Sequence, residues 1–266
     1  MKTRSTFTRC STLVTAPFLL FSMCLAMSSP SAEAGSAVRP QVKNVILVHG
    51  AWADGTSWSK IIPLLNAKGM NVVAVQLPLT SLADDAATVK RAIALEDGPI
   101  LLVGHSYGGA VITEAGNDPK VQGLVYVAAF APDNGQSAGS LGATVAPPPL
   151  AAEIKPDGEG FLKLTKDGIF ESFAQDLSAP EKAILYAAQA PTHAKSLGGA
   201  VSNAAWHSKP SWYIVASKDR AIPPELEAAM AGKIHATTTT ISSSHVPMLS
   251  HPDVVATVIE QAAGMK

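Results

Sequence analysis

The chain has 266 residues, 47% hydrophobic and 15% charged, with 20 Lys and Arg against 21 Asp and Glu. That composition excludes disordered and collagen-like classes and supplies a sizeable core. A net charge of −1 lacks the basic field that holds phosphates, so nucleic acid is not an expected partner.

Lys2, Arg4 and Arg9 open the chain, followed by an uncharged stretch, 10–32, with its apolar centre at 16–27 and then Ala32-Glu33-Ala34. This layout predicts a secretory signal peptide over 1–34, ahead of a single domain over 35–266. Pro17 and the scattered Ser and Thr make the apolar run short for a membrane-spanning helix. Both cysteines, Cys10 and Cys24, fall in the leader, so the remaining domain has no thiol for a nucleophile or a metal site. The expected location is periplasmic or extracellular, with no membrane association after cleavage.

Strands and helices then alternate. Residues 43–48 are a short apolar run ending at His49-Gly50, as buried parallel strands read. A helix is predicted over 57–67, a strand over 71–77, and a helix over 81–96 with Ser81 as N-cap and Asp84 and Asp85 in its first turn. Residues 100–103 read as a strand, 106–116 as a helix and 121–130 as a strand. After a long interval come a strand over 211–216, a helix over 223–234 opened by proline, a β-branched strand over 237–241 and a last helix over 252–263. The alternation predicts an α/β fold with a mostly parallel central sheet flanked by helices. The interval, about 131–206, contains Ala146-Pro147-Pro148-Pro149 and short helical stretches such as 179–189 but no convincing strand. It is predicted to be a helical cap over the strands' C-terminal edge, where open α/β sheets bind ligands.

Gly104-His105-Ser106-Tyr107-Gly108-Gly109 follows a strand and precedes a helix, the context that a G-x-S-x-G nucleophile turn requires. Two residues either side of the serine the turn tolerates only glycine-sized side chains, and Gly104 and Gly108 meet that demand. Ser106 is therefore the candidate nucleophile. It needs a base, and His245, in the loop after the last strand, shares its sheet edge. His49 is assigned to backbone support, His105 to the interior, His235 to a helix end and His251 to the start of the last helix. The carboxylate that orients the base is Asp219, after the 211–216 strand; the rival is Asp133 in Ala131-Pro132-Asp133. The oxyanion hole is expected from the N–H groups of Tyr107 and Ala51, with Trp52 as second choice to Ala51. Trp52, Phe130 and Trp206 are candidate substrate contacts, and Phe161, Leu164, Phe170, Phe173 and Leu185 are expected to join Trp206 in apolar cap walls.

His49-Gly50-Ala51-Trp52 with Trp58, the 104–109 turn, Ala129-Phe130-Ala131-Pro132-Asp133, Asp219 and Ser244-His245 resemble the α/β-hydrolase family. The likeness covers 43–264 outside the interval and is greatest to the compact subgroup of plant methyl esterases, hydroxynitrile lyases and small bacterial esterases. It implies the α/β-hydrolase fold, with Ser106 as nucleophile, His245 as base and Asp219 as acid. The expected activity is hydrolysis of small-molecule carboxylic esters through an acyl-enzyme, needing no metal or organic cofactor. A lyase on the same scaffold and a binding protein with slow turnover are the alternatives. The lyases of that subgroup carry a lysine just after the catalytic histidine and a hydroxyl-bearing residue where this chain has Ala51. Here Val246 follows His245, so the resemblance implies hydrolysis.

Overall fold

Runs of buried aliphatic and β-branched residues build the centre of the molecule. The computed structural model describes residues 11–13 and 41–265. The predicted leader and its cleavage site therefore lie outside the described residues, apart from 11–13. In chain order the first half contains β1 (Asn44–Val48), α1 (Ile61–Ala67), β2 (Asn71–Ala74), α2 (Leu82–Leu95), β3 (Ile100–His105), α3 (Gly108–Ala115) and β4 (Val121–Val127). Within the interval come α4 (Ala138–Gly142), β5 (Ile154–Pro156), β6 (Phe161–Leu164), α5 (Ala179–Ala188), β7 (Thr192–His193) and α6 (Ala194–Gly198). The chain then returns through β8 (Ser211–Ala216), α7 (Pro224–Lys233), β9 (Thr237–Ile241), α8 (Pro247–Ser250) and α9 (Pro252–Ala262).

The main sheet is six-stranded, in the order β2-β1-β3-β4-β8-β9, and every pairing is parallel. β3 and β8 are buried along their whole length, while the edge strand β9 leaves its threonines largely exposed. The pattern follows from coverage: central parallel strands are packed on both faces and demand continuous apolar runs. Ser81 caps α2 by accepting from Asp84 N–H, as its sequence predicts.

This strand order decides what meets at the C-terminal edge. Val48 pairs with Gly104, so the loop after β1 lies beside the turn after β3. Ala216 pairs with Ile241, and Ser217 N–H donates to Ile241 O at 2.8 Å. The loops carrying Asp219 and His245 are thereby neighbours.

The interval is a cap, but a mixed one. Beside its helices it holds a three-stranded antiparallel sheet, β5-β6-β7, where the sequence predicted no strand. The strands have only two to four residues and carry exposed Lys155, Pro156 and Lys163, so no apolar period announces them. Their hydrogen bonds come from pairing across the cap, not from a local preference. Among the described residues no helix is long and apolar enough to cross a membrane.

Candidate active site

Ser106 stands in a turn with almost no slack. Its φ is +53°, a left-handed conformation that non-glycine residues adopt at a cost. Three hydrogen bonds hold it there: Ser106 N–H donates to Val127 O, while Gly109 N–H and Phe130 N–H donate to Ser106 O. A Cβ on Gly104 would lie 2.5 Å from Gly108 O, and one on Gly108 would lie 2.5 Å from Val48 O. The glycines are therefore dictated by close approach of three backbone segments.

His245 Nε2 lies 2.8 Å from Ser106 Oγ, and its Nδ1 lies 2.5 Å from Asp219 Oδ2. Both side chains of the second pair are essentially inaccessible to solvent. Asp219 Oδ1 accepts Ala221 N–H at 2.6 Å and Ile222 N–H at 2.9 Å, so its carboxylate is oriented by its own loop. The structure thus brings Ser106, His245 and Asp219 into one hydrogen-bonded line. It takes the rival elsewhere: Asp133 bonds His207 Nε2 at 2.8 Å and Lys233 Nζ at 3.0 Å. Burial alone would push the Asp133 carboxyl up, but the bonds from His207 and Lys233 bring it down to about 2.

Ala51 N–H and Tyr107 N–H have no hydrogen-bond partner among the described residues, and both residues line the same cavity as Ser106. Trp52 N–H is already committed, donating to Thr192 Oγ1 at 3.0 Å. That choice was open in the sequence, because a threonine 140 positions away takes the amide. His49 does support the facing loop: its Nε2 accepts Leu77 N–H at 2.9 Å, and its Nδ1 lies 2.8 Å from Gly50 O. This arrangement requires neutral imidazole, and burial lowers the pKa of His49 accordingly.

The cavity holds about 160 Å³ and has no acidic, lysine or arginine side chain in its lining. Trp52 and Phe130 stand in its wall with Ala51, Ser106, Tyr107, Ala221, Ile222 and His245. The cap side consists of Ala138, Gly139, Gly142, Pro148, Leu150, Ala151, Ile154 and Leu197. Trp206, expected as a substrate contact, is not in that wall. Its indole N–H donates to Pro132 O at 2.9 Å and its ring packs on His207. None of Phe161, Leu164, Phe170, Phe173 or Leu185 lines it either. Phe173 instead packs edge-on against His245, with ring centroids 5.0 Å apart. The aromatic side chains of the cap pack elsewhere, and its aliphatic residues and glycines face the cavity.

Several supporting residues carry no sequence signal of their role. Asp85, by sequence a first-turn charge of α2, is fully buried and accepts the Tyr107 hydroxyl at 2.7 Å and Leu79 N–H at 2.8 Å. Burial pushes its carboxyl up, with the Tyr107 bond opposing. His105 turns inward as expected, but its Nε2 also bonds His245 O at 2.8 Å and so supports the base's backbone. Asp176 in the cap accepts Ser244 N–H at 2.8 Å. Only His105 stands in a motif, as a variable position of the nucleophile turn; the partners through which Asp85, Asp176 and His105 reach Tyr107, Ser244 and His245 lie 22, 68 and 140 positions away. Among the described residues no group of three or more His, Cys, Asp or Glu could hold a metal ion.

Comparisons with known proteins agree with this architecture. The carbendazim-hydrolysing esterase of Nocardioides sp. (strain SG-4G) is 32% identical over 127 residues, 42% of this chain and 52% of its own length. The alpha/beta hydrolase nvfD of Aspergillus novofumigatus is 27% identical over 247 residues, covering 83% of this chain and 96% of its own. Among solved structures, a pyrethroid hydrolase from Sphingobium faniae JZ-2 superposes with a TM-score of 0.74 at 24% identity, covering 84% of this chain and 98% of that one. The alpha/beta hydrolase family itself matches residues 45–258, the stretch that holds the main sheet, the cap and the Ser106–His245–Asp219 line, and the chain belongs to that family.

Proposed function

We propose that this protein is an exported serine hydrolase of small, uncharged carboxylic esters, working through an acyl-enzyme. The observation that carries the reading is the unbroken line Asp219–His245–Ser106 opening into an apolar cavity beside two uncommitted N–H groups. In this mechanism His245 Nε2 takes the Ser106 proton as Oγ attacks the ester carbonyl. Asp219 holds the imidazole in the required tautomer and stabilises its cation. Ala51 and Tyr107 N–H stabilise the oxyanion. His245 returns the proton to the leaving alcohol, then activates the water that releases the acid.

Esterases among the relatives support the reaction class, the carbendazim-hydrolysing esterase and a pyrethroid hydrolase included. Against cyanohydrin cleavage stands Val246, buried and apolar next to the base, which offers no charge to a departing anion. Export rests on the basic, apolar and Ala32-Glu33-Ala34 succession at the start of the chain.

Hydrolysis of p-nitrophenyl butyrate and labelling by a fluorophosphonate test the reading together. Ser106→Ala should abolish labelling and lower kcat by ~10³-fold or more while leaving the melting temperature nearly unchanged. Retention of a tenth of wild-type turnover would remove Ser106 as nucleophile. The mass of the protein recovered outside the cytoplasm tests export: cleavage after residue 34 is expected, and an intact leader would count against it.

A further inference from the structure

One buried acid has no place in that mechanism. Glu227 on α7 is fully buried, although Glu225 on the same helix faces solvent. Its Oε2 accepts Ala216 N–H at 2.9 Å, at the very end of β8. Its Oε1 is also buried and accepts no hydrogen bond from any described residue. The same turn carries Asp219, whose N–H donates to Ala216 O at 3.0 Å, and the Asp219 and Glu227 carboxyl groups lie within hydrogen-bonding reach of one another.

We infer that Glu227 is a neutral carboxylic acid that donates its proton to Asp219, and so serves as a positioning residue behind the acid of the Ser106–His245–Asp219 line. The inference rests on the proposed function for its catalytic consequence, but not for the proton itself. Two facing carboxyl groups in a site closed to water cannot both ionise. Asp219 already accepts Ala221 N–H and Ile222 N–H and faces His245 Nδ1, three interactions that favour the anion. Glu227 has a single N–H. The proton therefore belongs on Glu227, and Oε1–H fills an otherwise orphaned position. Burial, and then the negative charge of Asp219, push the Glu227 carboxyl well up.

The surroundings supply nothing to reverse this. Tyr213 on β8 faces Glu227 but donates its hydroxyl to Ala129 O. On α7, exposed Glu225 is another acid, and Lys233 is exposed and turned to Asp133 and Gln136. No cation among the described residues compensates a charge on Glu227. A neutral donor here stabilises the Asp219 anion and fixes the carboxylate plane that holds His245. An ionised Glu227 would instead add a second negative charge behind the base.

Two variants and one spectrum decide the matter. Glu227→Gln keeps an acceptor for Ala216 N–H and a donor for Asp219. It should retain kcat on p-nitrophenyl butyrate within about threefold and leave the acid limb of the kcat/KM profile in place. Glu227→Leu removes the donor and should lower kcat about tenfold or more with KM little changed. The infrared difference spectrum between wild type and Glu227→Gln at neutral pH should contain the C=O band of a protonated carboxyl. That band is read whether or not the protein turns over, and whether or not Glu227→Leu folds. Absence of the band, a shift of the acid limb to lower pH in Glu227→Gln, or wild-type kcat in Glu227→Leu would each overturn the inference. Failure of the proposed function is separate: it would appear as retained activity in Ser106→Ala.

Discussion

The sheet edge and the cap face the same cavity but are built by different rules. At the edge, consecutive parallel strands deliver their loops at fixed register. Val48 beside Gly104 and Ala216 beside Ile241 bring four loops together without a choice. In the cap, short strands and helices are held by pairings within the cap and by a few bonds to the edge. Trp52 N–H to Thr192, Trp52 Nε1–H to Leu162 O, Ser244 N–H to Asp176, Leu150 N–H to Arg220 O and Gln175 Nε2–H to Lys218 O are among those that reach the site. The edge therefore carries chemistry that tolerates little change. The cap carries shape, and shape in a wall of alanine, glycine, proline and leucine can be altered residue by residue.

The edge is most sensitive at the acid. Asp219→Asn should cut kcat by about 10³- to 10⁴-fold, because the amide leaves His245 in the wrong tautomer. Asp133→Asn, although also at a strand end, should change kcat less than about threefold, since its partners are His207 and Lys233. Steady-state kinetics on one ester suffice, and reversed results would move the acid to the other strand.

Next comes the backbone of the turn. Gly108→Ala places a Cβ 2.5 Å from Val48 O and 2.7 Å from His49 O, neither of which can retreat without disturbing the sheet. A loss of about 3 kcal/mol in denaturant unfolding is expected, with activity falling alongside. Gly142→Ala, in the cap where nothing lies within 4 Å of the added atom, should cost almost nothing in stability.

A smaller difference should appear with pH. His49 and His105 are buried neutral at the edge, their pKa values lowered from 6.5 first by burial. The unfolded chain binds protons below about pH 6.5 that the folded edge refuses, so stability is complete above that pH and declines as pH falls through it. Each histidine contributes at most ~1.4 kcal/mol per pH unit until its folded-state value is reached. Melting curves between pH 7.5 and 5.0, in steps of roughly half a unit, give the slope, and a flat profile would show that both groups titrate normally.

The smallest expected effect sharpens the cap's role. Leu197→Ala enlarges the cavity wall and should shift preference toward longer acyl chains by about fourfold per added CH₂ accommodated, the equivalent of ~0.8 kcal/mol. Trp206→Ala should leave chain-length preference unchanged, because its ring lies outside the wall. A series of p-nitrophenyl esters compares the two; a shift with Trp206→Ala alone would place the acyl site elsewhere.

Some of this was dictated locally and was legible in the chain. Continuous apolar runs at 45–48, 100–103 and 212–216 require strands buried on both faces, and their alternation with helices requires parallel order. Gly104-x-Ser106-x-Gly108 between a strand and a helix requires the tight turn, because a larger residue has nowhere to put its Cβ. Once the strands run parallel, Asp219 and His245 must lie on the same edge as Ser106. The rest was settled only where distant segments met. Thr192 taking the Trp52 amide, Asp85 the Tyr107 hydroxyl and Asp176 the Ser244 amide are single polar contacts with no period or spacing. The cap strands exist because they pair with one another, and Trp206 left the cavity because its N–H found Pro132 O. Hydrophobic pattern and backbone sterics act within a few residues and can be read from order alone. Polar satisfaction and cavity shape depend on which atoms tertiary packing brings within 3 Å, and only the folded chain supplies that.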